Sequence, residues 1–211
     1  MKAFAEYFEV NAEISYRRKT LLQFGEGVDL IGSAVLINPG SATPMQERVN
    51  TKVIEAFFRK NHETQPVDIS SWREFKVDPT MRQLSKIFTG EYLQKGKELN
   101  GIIQLFNCFY YKNPNLEKAL KHFDIDSDFN FNESAYFLDK PVYFGWGSKG
   151  KKGELKSIAQ KIFDDYGFRN TPIYDTAFEK NSFYHPGYVN RSYKRNEKTI
   201  KILKEFSKLV T

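Results

Sequence analysis

Ile31-Gly32-Ser33-Ala34-Val35-Leu36-Ile37-Asn38-Pro39-Gly40-Ser41 is an uncharged, largely apolar run that stops abruptly at turn-forming residues. A short apolar run bounded in this way predicts a buried strand feeding a turn. Two further stretches repeat the pattern: Gly101-Ile102-Ile103-Gln104-Leu105-Phe106, ending at Asn107, and Pro141-Val142-Tyr143-Phe144-Gly145-Trp146, broken by Gly147-Ser148-Lys149-Gly150. Helical patterns separate them. Met45 to Lys60 reads as one helix. Asp78-Pro79-Thr80 is a helix-start signal, followed by Met81, Leu84, Ile87 and Phe88 at helical spacing. Asn113-Pro114 opens a short helix, and another runs from about Glu154 to Tyr166. Strands alternating with helices predict an α/β fold with a central, mainly parallel sheet covered on both faces, in three α/β/α layers. Ligands of such sheets bind outside the carboxyl ends of the strands, which here places Asn38, Asn107 and Ser148 on one rim.

The remaining chain is less regular. Residues 1 to 24 are mixed, with Tyr16-Arg17-Arg18-Lys19 before Leu21-Leu22-Gln23-Phe24, and carry no firm assignment. His62 to Val77 is rich in turn formers and reads as irregular. Thr171 to Tyr174 and Ser182 to Tyr184 are short candidate strands, the second bringing His185-Pro186-Gly187 to the same rim. The last helix is amphipathic, with Thr199, Ile202, Leu203, Phe206 and Val210 on one face and Lys198, Lys201, Lys204 and Lys208 turned away.

Length and composition narrow the class. At 211 residues without a low-complexity linker, the chain is expected to be one domain spanning residues 1–211. Its apolar stretches are about half the ~20 residues of a membrane span, and the N-terminus lacks a signal-peptide pattern, so a cytoplasmic protein without membrane contact is expected. The single cysteine, Cys108, excludes internal disulfides and cysteine-held metal clusters. His62, His122 and His185 lack ligand-like spacing, so neither a metal nor another cofactor is expected. A formal charge of +6 and 16% aromatic residues suit a protein that meets a polyanion and stacks on flat groups. Lys149, Lys151 and Lys152 follow one strand, and Arg191, Lys194, Arg195 and Lys198 follow His185-Pro186. The acidic residues Asp124, Asp126, Asp128, Glu133 and Asp139 read as a solvated loop facing away from phosphate.

Two amides, a Gly-Ser turn and a histidine make a site that recognises a planar hydrogen-bonding ligand and stabilises charge, but does not readily generate hydroxide. Leu36-Ile37-Asn38-Pro39-Gly40, Leu105-Phe106-Asn107, Trp146-Gly147-Ser148 with Lys151-Lys152-Gly153 behind it, and His185-Pro186 resemble, in order, the motifs of the uracil-DNA glycosylase superfamily. Ile37-Asn38-Pro39-Gly40-Ser41-Ala42, Asp78-Pro79-Thr80, Leu105-Phe106-Asn107 and Trp146-Gly147 also resemble a bacterial domain family of unknown function. Together the resemblances cover roughly residues 31 to 190.

The resemblance implies a uracil-DNA glycosylase-like fold and hydrolysis of the N-glycosidic bond of uracil in DNA by base flipping. Asn38 would hold the attacking water without serving as a strong base. Asn107 would read O4 and N3–H of the flipped base, and His185 would donate to O2 as the base leaves. Phe75 would stack on the base, with Trp72 as a rival. Gly40 stands where the best-known branch has a thymine-excluding tyrosine. Tyr188 and Val189 are the candidate wedge residues. Lys149, Arg191 and Lys194 would meet phosphates, and Ser41 and Ser148 would present donors to them. The implied partner is uracil-containing DNA, single- or double-stranded, bound by a monomer, with a DNA-mimicking protein as a further candidate partner.

Each motif also has a structural reading. Asn38-Pro39-Gly40 suits a plain turn, Asn107 a satisfied structural amide, His185 a loop residue, and Trp146 and Phe75 the core. Two other functions fit the same residues. One is a nucleic-acid-binding module with little or no catalysis, suggested by Asn38 in place of an acid. The other is a protein for a free nucleotide or nucleoside, suggested by the open position at Gly40.

Overall fold

The computed structural model describes residues 1–45, 49–62, 67–166 and 173–210. Among them, six strands form one mixed sheet: β1 (Lys2–Glu9), β2 (Ser15–Phe24), β3 (Leu30–Leu36), β4 (Trp72–Phe75), β5 (Gly101–Asn107) and β6 (Val142–Phe144), in the spatial order β4-β1-β2-β5-β3-β6. Only β5, β3 and β6 run parallel to one another. The pairings β4/β1, β1/β2 and β2/β5 are antiparallel. The sheet is therefore mostly antiparallel, and the expectation of a mainly parallel one is corrected.

The reason lies in the N-terminal residues. Ala3, Phe4 and Ala5 are fully buried, so β1 needs a partner on each side. The turn into β2 is closed by Asn11, whose Oδ1 accepts from the backbone N–H groups of Glu13 and Ile14, each at 2.9 Å. Strand β2 tolerates its basic run because buried Glu6 on β1 takes Arg18 at 2.5 Å and Lys19 at 3.3 Å. Between Phe4 and Glu6 the register advances by two residues on β1 and three on β2, and Lys19 lies at φ 48°. That is a β-bulge in β2, which places Arg17 and Arg18 on opposite faces of the sheet.

Helices α1 (Thr51–Asn61), α2 (Pro79–Thr89), α3 (Leu116–Leu120), α4 (Leu155–Tyr166), α5 (Pro186–Ser192) and α6 (Glu197–Leu209) complete the described framework. The start of α2 is as its sequence dictates: Asp78 caps the Met81 N–H at 2.8 Å, Pro79 fills the first turn, and Met81, Leu84, Ile87 and Phe88 are buried. Phe206 of α6 meets Phe88 of α2 and Tyr143 of β6, with ring centroids 4.9 and 5.5 Å apart. The neighbouring Phe144 instead meets Phe163 and Tyr166 of α4. Because successive strand residues point to opposite faces, α2 and α6 cover one face of β6 and α4 the other. No helix among the described residues is long and apolar enough to cross a membrane.

Several element boundaries move. The helix expected from Met45 begins at Thr51; Met45 instead bonds its backbone to Glu74 at 2.7 Å, and residues 46–48 lie outside the described set. Trp72–Phe75, expected to be irregular, is strand β4 because all four residues pair with β1 and its two ends, Trp72 and Phe75, are buried on opposite faces of the sheet. The proposed strand at Thr171–Tyr174 falls partly outside the described residues, and Ser182–Tyr184 is not a strand of the sheet.

Candidate functional site

The parallel register sets Leu36 of β3 beside Asn107 of β5. Pairing continues past the strand ends, with the Cys108 N–H bonded to the Leu36 carbonyl at 2.9 Å and the Phe109 N–H to the Ile37 carbonyl at 3.2 Å. This holds Asn38 and Asn107 on the wall of a cleft of about 270 Å³, which Gly40, Ser41 and His185 also line. The sequence-derived expectation of one polar rim at these strand ends thus holds for these residues, although His185 arrives from a helix start.

Each polar side chain is fixed differently. Asn38 donates through Nδ2 to the carbonyls of Pro39 at 3.0 Å and Asn113 at 2.9 Å. Two carbonyl acceptors settle the orientation of the amide and leave its Oδ1 free to accept. Asn107 is only 2% exposed, yet its side chain has no hydrogen-bond partner among the described residues. Its amide atoms are not among the fully covered unpartnered ones, so the amide opens onto the cleft it lines rather than being held by a protein group. His185 caps α5, its Nδ1 accepting from the Gly187 N–H at 3.1 Å. That bond selects the tautomer with hydrogen on Nε2, leaving a neutral donor. Desolvation, reinforced by Arg191, lowers the His185 pKa from its ordinary value, with Asp78 opposing.

Two charged residues enter the cleft that sequence reasoning did not place there: Arg17 from β2 and Asp78 from the start of α2. In the sequence Asp78 stands out as a helix start and as part of the Asp78-Pro79-Thr80 motif, and one of its oxygens does cap α2. Its Oδ2 lies 3.7 Å from where a Cβ on Gly40 would sit. Arg17 could have been found only by knowing the bulge that turns it to this face. Its guanidinium lies over the Phe75 ring, 5.3 Å from the centroid.

Phe75 itself does not line the cleft. It pairs with Ala3 across β4/β1, packs edge-on against Tyr7 at 5.7 Å and is 2% exposed, so its assignment as the stacking ring is corrected to a core role. Its rival Trp72 is fully buried, as is Trp146. Val189 is likewise corrected: it lies in the core, 1% exposed, and cannot enter a DNA duplex. Tyr188 is exposed and stacks on Tyr184 at 4.8 Å. Ser148 is exposed outside the cleft, and Lys149 beside it is paired with Glu117 of α3 at 2.7 Å. Arg191 and Lys194 are exposed, Lys194 lying over the Tyr193 ring at 5.6 Å.

The buried Cys108 thiol is pushed up to about 12 by desolvation, which leaves it inert as a nucleophile. Among the described residues no group of three or more His, Cys, Asp or Glu side chains is placed to hold a metal ion. Comparison of the chain with protein-family models, curated proteins and solved structures gave no match, so the cleft's own chemistry carries the functional argument.

Proposed function

We propose that the chain is a DNA glycosylase that hydrolyses the N-glycosidic bond of uracil in DNA by base flipping, releasing uracil and leaving an abasic site. In this reading it acts as a cytoplasmic monomer, and its sheet and helices form the three-layer plan of the uracil-DNA glycosylases. The observation that carries the proposal is the unpartnered amide of buried Asn107, in the same small cleft as the free Oδ1 of Asn38 and the Nε2 donor of His185. At about 270 Å³ the cleft falls just below the roughly 300–1,000 Å³ of drug-sized pockets, which suits one planar base.

Asn107 offers an N–H to O4 and a carbonyl to N3–H, a pattern that uracil fits and cytosine does not. As the C1′–N1 bond breaks, the electron pair leaves with the base, and the His185 Nε2–H stabilises the charge at O2. A donor of this kind is worth about 3–4 kcal/mol in other enzymes. Water held by the Asn38 carbonyl adds to the oxocarbenium-like C1′ and gives its proton to solvent. An amide does not take that proton at neutral pH, so the reaction relies on leaving-group stabilisation. Tyr188 is the exposed ring available to fill the vacated stack, Arg191 and Lys194 are available for phosphates, and Lys149 would exchange Glu117 for one.

The test is base release from single- and double-stranded oligonucleotides bearing one uracil, with matched thymine and cytosine strands, read by alkaline cleavage. Strand scission at uracil alone is expected. Intact oligonucleotide, with a known glycosylase cutting in parallel, refutes the reading. Asn38 in place of an acid favours one second reading, a binding module without catalysis, which salt-sensitive DNA binding without base release would select.

A further inference from the structure

The cleft contains a buried cation for which the roles above provide no task. Arg17 is 2% exposed, and its Nε and Nη1 are covered and without a hydrogen-bond partner among the described residues. Its side chain forms no salt bridge among the described residues, and Nη2 is the guanidinium nitrogen left to meet the cleft it lines. Burying a guanidinium without a carboxylate in contact is costly, and chains normally pair or expose it. Desolvation lowers its pKa to about 10, with Asp78 opposing the shift, so the group is still a cation at neutral pH.

The chain also departs from regular backbone to put it there. The extra residue in β2 and the φ of 48° at Lys19 send Arg18 and Lys19 to Glu6 on one face and Arg17 to the cleft on the other. A non-glycine residue in that region is disfavoured by roughly 1–3 kcal/mol and persists where its surroundings impose it. Arg17 is held by its backbone N–H bonded to the Tyr110 carbonyl at 3.0 Å and by the Phe75 ring beneath its guanidinium. Strand β2 is the direct neighbour of β5 in the sheet, so Arg17 approaches from the Asn107 side of the cleft.

Resting on the glycosylase reading, we propose that Arg17 is a further catalytic residue. It contacts the O4 edge of the flipped uracil beside Asn107 and carries part of the negative charge of the departing base. When C1′–N1 breaks heterolytically, the charge left on the base spreads from N1 over O2 and O4. His185 meets the O2 end and Arg17 the O4 end. The released base takes a proton at N1 from water. A cationic donor at O4 also opposes cytosine, whose 4-amino group has only hydrogens to offer there. The Phe75 ring thereby has a function other than stacking: it is the floor that holds the cation in place.

The test uses free bases with the intact protein, so it needs no turnover. Uracil and 5-nitrouracil, an analogue already anionic at neutral pH, are titrated into wild type, Arg17→Met and Arg17→Lys by calorimetry. Wild type should bind 5-nitrouracil about 10- to 100-fold more tightly than uracil, the range for hydrogen bonds to charged groups. Arg17→Met should abolish that preference while retaining measurable uracil binding, and Arg17→Lys should recover part of it. Circular dichroism and melting of each variant identify loss of fold, and the wild-type preference itself needs no variant. Equal affinity for both bases, with uracil still released from DNA, overturns the role of Arg17 alone. Binding of neither base together with no release from DNA removes the glycosylase reading and the role of Arg17 together. Competition of inorganic phosphate with 5-nitrouracil for wild type but not Arg17→Met assigns the cation to a phosphate and overturns the proposal.

Discussion

Replacing Asn107 by leucine separates function from structure, because the two make opposite demands at this site. Asn107 is 2% exposed and its amide has no partner among the described residues, and it lies in a strand whose other side chains are all buried. An unsatisfied buried polar group costs about 1–3 kcal/mol. Part of that is relieved because the side chain borders the cleft, so Asn107→Leu should stabilise the protein by about 1 kcal/mol. For a chain of this length the melting temperature should rise by roughly 2–4 °C. The same change removes both hydrogen bonds to the Watson–Crick edge. Loss of two bonds of about 0.5–1.5 kcal/mol each, with the base's own groups then desolvated unpaired, should lower uracil affinity by two orders of magnitude or more. Differential scanning calorimetry and free-uracil titration measure the two effects. A fall in melting temperature of several degrees would show that the amide serves the fold and would refute the reasoning.

His62 offers a second test, away from the cleft. It is buried beside Gln104, whose Nε2 lies 2.9 Å from its own Nε2, and desolvation followed by Lys19 lowers its pKa from 6.5 to about 4. Because the folded state resists protonation, this stabilisation is complete above pH 6.5 and is lost as pH falls towards 4. Between pH 7.5 and 5 wild type should lose about 2 kcal/mol more than His62→Phe, or roughly 1 M in urea midpoint; parallel pH dependences would exclude it. At Gly40 a Cβ meets only Asp78 Oδ2 at 3.7 Å, so Gly40→Ala should fold with stability within about 1 kcal/mol of wild type. Gly40→Tyr should narrow the cleft against 5-methylated bases, read as the ratio of uracil to thymine binding. Val189→Ala should cost about 2 kcal/mol by denaturation, whereas Tyr188→Ala should leave stability nearly unchanged and weaken DNA binding.

The parallel strands were legible because each is a short apolar run ended by a turn or a polar residue, and their common direction gathers Asn38 and Asn107 on one rim. Helix α2 was legible for an equally local reason, the Asp78-Pro79 start and its buried stripe. The antiparallel half was not. Strand β2 carries Arg17-Arg18-Lys19, and what makes such a run acceptable in a sheet is Glu6 on another strand and a one-residue bulge, neither of which has a local signature. Strand β4 is only four residues long and borrows its order from β1. Phe75 and Val189 were misjudged for a related reason: proximity in sequence to a site does not say which way a strand or helix turns its side chain. Arg17 was hidden by the same ambiguity, since a basic run reads as solvated surface until the fold reveals which member is turned inward.

The order of strands also has a consequence for how the cleft comes into being. Its walls are drawn from positions 17, 38, 78, 107 and 185. Strand β2 must wait for β5, about eighty residues further along the chain, before its second edge is covered. Closing so long a loop is entropically slow, and an unpaired strand edge is open to other chains meanwhile. The residues left waiting are Thr20–Phe24, just beyond the Arg18 and Lys19 that Glu6 of β1 holds.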